Sequence, residues 1–256
     1  MRVRLNEIQD QVFYYRAMPA SPTPAETEAR HERAESTRLD NFVDGAFAFA
    51  ITLLIISGGG LPRSVAELEQ ALRGVPAFAA CFAQLAWFWH SHVSWRDNVR
   101  LTDRPSLLLS LLLVFFALIF VFPLHLVYAG AFNGLSHGVL SPGVATFGKN
   151  QGGVAALFVC YGLSYACMAG TLAVLHWHGG HAADRLTRRE ADSVRVSGMI
   201  WTYVASVGLL SVLLALTLPA NVDWVEGLPG IAYFLLALIG PIVHFYRKRL
   251  AKRPSP

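Results

Sequence analysis

Residues Arg38–Leu54 read RLDNFVDGAFAFAITLL. The run opens on charge and closes as hydrocarbon, with Asp44 standing where one becomes the other. A carboxylate at the edge of an apolar span is costly unless it has a partner or a task. The stretch therefore reads as a helix entering a membrane, with Asp44 tied to something at its mouth.

The rest of the chain supports a membrane setting. Of 256 residues, 54% are hydrophobic and 15% are charged, against roughly a quarter charged in soluble domains. The apolar residues fall into blocks of about twenty, the length of a helix that crosses a bilayer. Six such blocks are predicted, over 41–57, 75–95, 106–128, 154–176, 197–219 and 228–246. Cys81, Cys160 and Cys167 all lie inside them and read as small apolar packers, with neither a disulfide pattern nor metal spacing. Met1–Arg16 is charged throughout and lacks the apolar core of a signal peptide. Residues 17–36, rich in Ala, Pro, Glu and Ser, have the composition of a linker.

Basic residues set the expected orientation. The N-terminal tail, the loops after the second and fourth blocks, and the C-terminal tail together hold 18 of the 21 Lys and Arg. Lys and Arg accumulate on the cytoplasmic side. Both termini are therefore expected to be cytoplasmic, which six spans satisfy, in a cell (inner or plasma) membrane. The net charge of +4 is explained by arginines facing anionic lipid, and no nucleic-acid partner is implied. The expected domain division is a cytoplasmic tail over 1–37, a six-helix domain over 38–247 and a basic tail over 248–256.

A helical projection of 42–56 at 100° per residue separates two faces. With Phe49 at zero, Leu53 lies at about +40°, Ile56 at about −20° and Thr52 at about −60°. Phe42 falls near the same line, and Asp44 lies about 220° round. One side thus carries large apolar groups and a hydroxyl. The other carries a carboxylate expected to look into the subunit's own bundle. An apolar stripe on a membrane helix most simply faces lipid or a packed neighbour.

The stretch from Arg38 through Phe42, Val43 and Asp44 into GAFAFAITLL resembles the signature of the transmembrane protein 175 family of potassium channels, Arg-x-x-x-Phe-Ser-Asp followed by an apolar helix. WFWHSHVSW (Trp87–Trp95) is similar to the family's Trp/His-rich cluster, and FVFPLH (Phe120–His125) to its Pro-containing third helix. The resemblance implies an all-α membrane protein of six helices whose first helix lines a central pore. Family members lack a carbonyl filter and use rings of apolar side chains as the constriction. A single repeat, as here, resembles the prokaryotic homotetrameric form. By position, Phe49, Thr52, Leu53 and Ile56 become the pore-facing residues. Arg38, Phe42 and Asp44 become the network at the cytoplasmic helix ends, with Trp87, His90, His92 and Asn98 as candidate partners of Asp44. Two departures stand out: Val43 replaces the signature serine, and Phe49 replaces the usual Ile or Leu.

The implied function is a potassium-preferring cation channel whose permeant ion is K+ and which needs no cofactor. The alternatives are a secondary transporter or a metal- or haem-binding membrane protein. A transporter commonly shows internal repeats and broken mid-membrane helices, and neither is evident in the sequence. His90 and His92 are two apart and face nearly opposite ways on a helix. His176, His178 and His181 cluster near the end of the fourth block, where an i, i+3 pair chelates weakly at best. Without a nucleotide loop, a nucleophile elbow or paired membrane carboxylates in the sequence, no enzyme is expected.

Overall fold

The computed structural model describes residues 23–57, 62–99, 101, 103–142, 153–181, 187–219 and 223–251. All regular elements among them are helical. The chain divides into two units, Met1–Arg38 and Leu39–Pro256.

Helix α1 runs from Pro24 to Ser57, so the second half of the linker-like stretch is helical. Pro24 at the first position and Glu28 soon after are suited to a helix start. Most of the tail expected over 1–37, up to residue 22, lies outside the described residues. Helix α2, Val65–Arg73, starts on Ser64, whose side chain accepts from the Glu67 amide. Its axis is bent 46° from that of α3, Val75–Val99. Helix α4 spans Arg104–Leu135 and carries Pro123 in its interior. Helix α5 spans Gly153–His181 and α6 spans Arg188–Thr217. The start of α6 is fixed by a capping box between Thr187 and Glu190. Short helices α7, Asp223–Glu226, and α8, Leu228–Ile231, precede a 3₁₀ stretch over Ala232–Leu238 and α9, Ile239–Ala251.

Among the described residues, five helices are long and apolar enough to cross a membrane, and the bent α2–α3 pair supplies a sixth. Each predicted block falls in one of them, except that the fifth runs two residues past Thr217, and most helices extend past the predicted ends. The last span, Leu228–Lys248, is irregular for a covalent reason: Pro229 and Pro241 withdraw backbone donors. The Tyr203 hydroxyl of α6 donates to the Leu235 carbonyl at 2.8 Å, satisfying an acceptor within the 3₁₀ stretch.

The core is aromatic at its centre. Phe88, Phe120, Tyr161 and Tyr165 form a chain of ring contacts with centroids 5.3–6.0 Å apart, and Trp201 adds a ring 5.0 Å from Phe88. Helices α5 and α6 meet through small residues. A Cβ on Gly162 would lie 2.8 Å from Val212 Cγ2, and one on Gly208 would lie 3.1 Å from Ala166. Close backbone approach of this kind holds helices together where lipid removes the hydrophobic drive.

Candidate functional site

The site is built on α1. Val43, Phe47, Ala50 and Leu54 recur at helical spacing and are 0–2% exposed. They form the ridge that seats α1 on the core, together with Leu85, Phe88, Leu113, Phe120 and Leu124. In the projection this ridge centres near 130°, which leaves the opposite side open. Phe49 is 55% and Ile56 66% exposed, and Thr52 and Phe42 are exposed as well. Leu53 is half-buried and packs against the core, at the edge of the open face. The Thr52 hydroxyl donates to the Ala48 carbonyl at 3.1 Å. Its oxygen keeps acceptor capacity toward whatever lies in front of α1.

Arg38 and Asp44 are both exposed. Asp44 does not point into the bundle; it lies on the flank of the ridge, where Trp89 of α3 donates Nε1–H to Oδ1 at 2.8 Å. Trp89 was not among the candidate partners; of the four that were, Trp87, His92 and Asn98 are engaged elsewhere. Trp87 stacks on Trp201 with ring centroids 4.7 Å apart. His90 is exposed. His92 is buried and shares a 3.0 Å hydrogen bond with Ser110 of α4. The Asn98 amide donates to the Ser94 carbonyl of its own helix at 2.6 Å. The reason is helical phase: Trp89 and Arg96, seven residues apart, share the side of α3 that meets the flank of α1.

Sequence reasoning missed Asp40 and Arg96. Arg96 is 6% exposed and places Nε 2.7 Å from Asp40 Oδ1, and its NH1 donates to the Leu101 carbonyl at 2.5 Å. Its guanidinium also lies 5.9 Å from the Trp95 ring centroid. Counting Arg96 among the loop arginines hid this role. The signal available was the i, i+4 pair Asp40 and Asp44, which puts two carboxylates on one side of α1.

The histidines at the end of α5 do not converge. His176 is buried against the Leu172 carbonyl, His181 meets the Trp177 carbonyl, and His178 Nε2 lies 2.5 Å from Asp103 Oδ2. Burial pushes the Asp103 carboxyl up, but the nearby Ser106 hydroxyl and the His178 imidazole outweigh it and leave it below its ordinary value. Among the described residues, no group of three or more His, Cys, Asp or Glu is placed to hold a metal ion.

The arrangement is that of a helix anchored on one face and at its base, with an apolar face interrupted by one hydroxyl left unpartnered within a single chain. Residues 38–123 match the family described as endosomal/lysosomal potassium channel TMEM175. A protein of Marivirga tractuosa named potassium channel is 28% identical over 211 residues, covering 78% of this chain and 83% of the relative. The fold is similar, at TM-score 0.67 and 26% identity, to a crystal structure of the potassium channel MtTMEM175, a threonine-to-alanine variant in complex with a nanobody–MBP fusion protein. That match covers 84% of this chain and 94% of the other. Opening motif, helical architecture, relative and solved fold agree in their likeness to potassium channels of the TMEM175 kind.

Proposed function

We propose that the protein is a potassium-preferring channel, not an enzyme, and that it works as a homotetramer with four copies of α1 around the pore. The carrying observation is the division of α1 into the buried ridge Val43–Phe47–Ala50–Leu54 and the open face Phe49–Thr52–Ile56. Fourfold repetition of that face gives stacked rings of Phe49, Leu53 and Ile56 with the Thr52 hydroxyls beside them. A closed ring is the usual outcome of repeated head-to-tail contacts.

Apolar rings gate by excluding water, because an ion cannot shed its hydration shell without replacement ligands. Phe49 is the largest of the ring residues, so it sets the barrier. Asp40 and Asp44 act at a distance from the ion path: through Arg96 and Trp89 they hold the base of α1 against α3. The channel domain covers 38–247, flanked by tails over 1–37 and 248–256. The termini face the cytoplasm across a cell membrane, as the distribution of basic residues indicates.

The test is ion flux into liposomes carrying purified protein. Potassium uptake well above that of empty liposomes, and above sodium uptake, is the expected result. Equal flux in protein-containing and empty liposomes would end the proposal.

A further inference from the structure

The second half of α4, the first turns of α5 and the α8–3₁₀ break enclose a cavity of about 750 Å³. That lies within the size range of small-molecule sites. Leu126, Leu157 and Phe158 line it with Tyr161, and Ile231 and Phe234 form part of its rim. Ile231 is 54% and Phe234 78% exposed, so the mouth is apolar as well as the wall. Two of the polar lining residues are spent on protein partners. Asn133 donates to the Leu140 and Ser141 carbonyls, and the Tyr128 hydroxyl donates to Gln84. Water needs two to four polar partners to settle in a cavity, and this wall offers them poorly.

Two glycines shape the space. Gly130 faces it without a side chain, and a Cβ there would meet nothing within 4 Å. At Gly230 a Cβ would come 2.9 Å from Phe158 Cζ. The absence of a side chain at Gly230 lets the Phe158 ring lie flush against α8. The lining on α4 runs from Leu126 to Leu135. At 1.5 Å per residue this is roughly 14 Å of helix. That length is about half of a ~30 Å hydrocarbon core, the depth of one leaflet.

We propose that this cavity is a lipid site that takes one acyl chain of a phospholipid from the leaflet at that end of the bundle. The occupant is hydrocarbon because the wall and the mouth are largely hydrocarbon. It is a single chain because the slot is one leaflet long. The site is separate from the open face of α1, and the proposal does not depend on ion conduction.

Two measurements on the full-length protein test it. In the first, the phospholipid retained per subunit after detergent washing is read by native mass spectrometry for the parent, Gly130→Leu and Gly170→Leu. Gly170 also has open space around its Cβ but does not line the cavity. Gly130→Leu should lower retention about tenfold, which corresponds to ~1.4 kcal/mol, and Gly170→Leu should leave it near the parent's. In the second, the parent is photolabelled in vesicles with a phospholipid bearing a diazirine either within its acyl chain or on its headgroup. The acyl probe should label 126–135 and 154–161, and the headgroup probe should not. Equal retention in all three proteins, labelling by the headgroup probe alone, or loss of the oligomer in Gly130→Leu with lipid retention unchanged would each overturn the proposal. The last of these would make the cavity a contact between subunits.

Discussion

Arg96 of α3 sets its Nε 2.7 Å from Asp40 Oδ1 at the base of α1, while its NH1 holds the Leu101 carbonyl in the loop that follows. One buried guanidinium thus fixes two neighbours of the α3 terminus at once. The partners are unequal: Arg96 is 6% exposed and Asp40 39%.

That asymmetry orders two substitutions. Asp40→Ala strands a buried cation and should cost about 2 kcal/mol, below the ~3–5 of a fully buried broken pair because water reaches this one. Arg96→Met removes the buried charge itself and leaves Asp40 open to solvent, so it should cost less. Unfolding in mixed micelles would rank them. A larger loss for Arg96→Met would show that packing of the arginine stem, rather than its charge, is what matters.

The Trp89–Asp44 bond is exposed and should contribute about 1 kcal/mol. Asp44→Ala and Trp89→Phe should each weaken the fold by that amount, and the double variant should be little worse than either, since both remove one interaction. Asp44→Asn keeps an acceptor and should retain most of the stability. If assembled Asp44→Ala differs from the parent only in ion preference, Asp44 belongs to the ion path and the assignment of faces on α1 is wrong.

How far the sequence reveals this follows from which forces leave a linear trace. Burial does: the spacing of Phe49, Thr52, Leu53 and Ile56 separated the open face of α1 from its ridge, and only Leu53, at the margin, is half-buried. Block length does too, and all six predicted spans lie in apolar helices, save the last two residues of the fifth. Pairing between helices does not. Trp87, His90, His92 and Asn98 were reasonable donors near Asp44, yet the phase and depth of α3 against α1 hand the bond to Trp89. Arg96 looked like an orienting loop charge because a buried ion pair and a surface arginine have the same local sequence. The cavity beside α4 has no periodic signature, since it arises where three elements fail to fill the space between them.

Close packing of α5 on α6 predicts a steep response at Gly162. Its Cβ position is 2.8 Å from Val212 Cγ2 and 3.0 Å from the Gly208 carbonyl. Gly162→Ala should destabilise by about 1–3 kcal/mol through overpacking. Adding Val212→Ala should recover part of this by removing the nearer clash. Thermal unfolding of the two variants would check it; a parent-like Gly162→Ala would mean the helices sit farther apart.

Acid should loosen the junction of α4 and α5. The folded Asp103 carboxyl lies below its ordinary 3.8, so its contribution is complete above that pH and is lost as pH falls through the folded value. The parent's melting temperature should fall over this range, and that of Asp103→Asn should fall less. Identical acid profiles would show that the His178–Asp103 contact contributes nothing to stability.

The central claim is that Phe49 faces the ion path and Phe47, about 160° round the helix, faces the core. Potassium and sodium flux into liposomes at matched protein density, compared for the parent, Phe49→Ala, Phe49→Ile and Phe47→Ala, tests it directly. Phe49→Ala should raise flux and weaken discrimination between the two ions, and Phe49→Ile should give intermediate flux with selectivity kept. Phe47→Ala, which empties a buried site, should lower stability by about 3–5 kcal/mol and leave the ion preference of the surviving protein unchanged. Parent-like flux in Phe49→Ala together with altered ion preference in Phe47→Ala would place the pore on the other side of α1 and contradict the account.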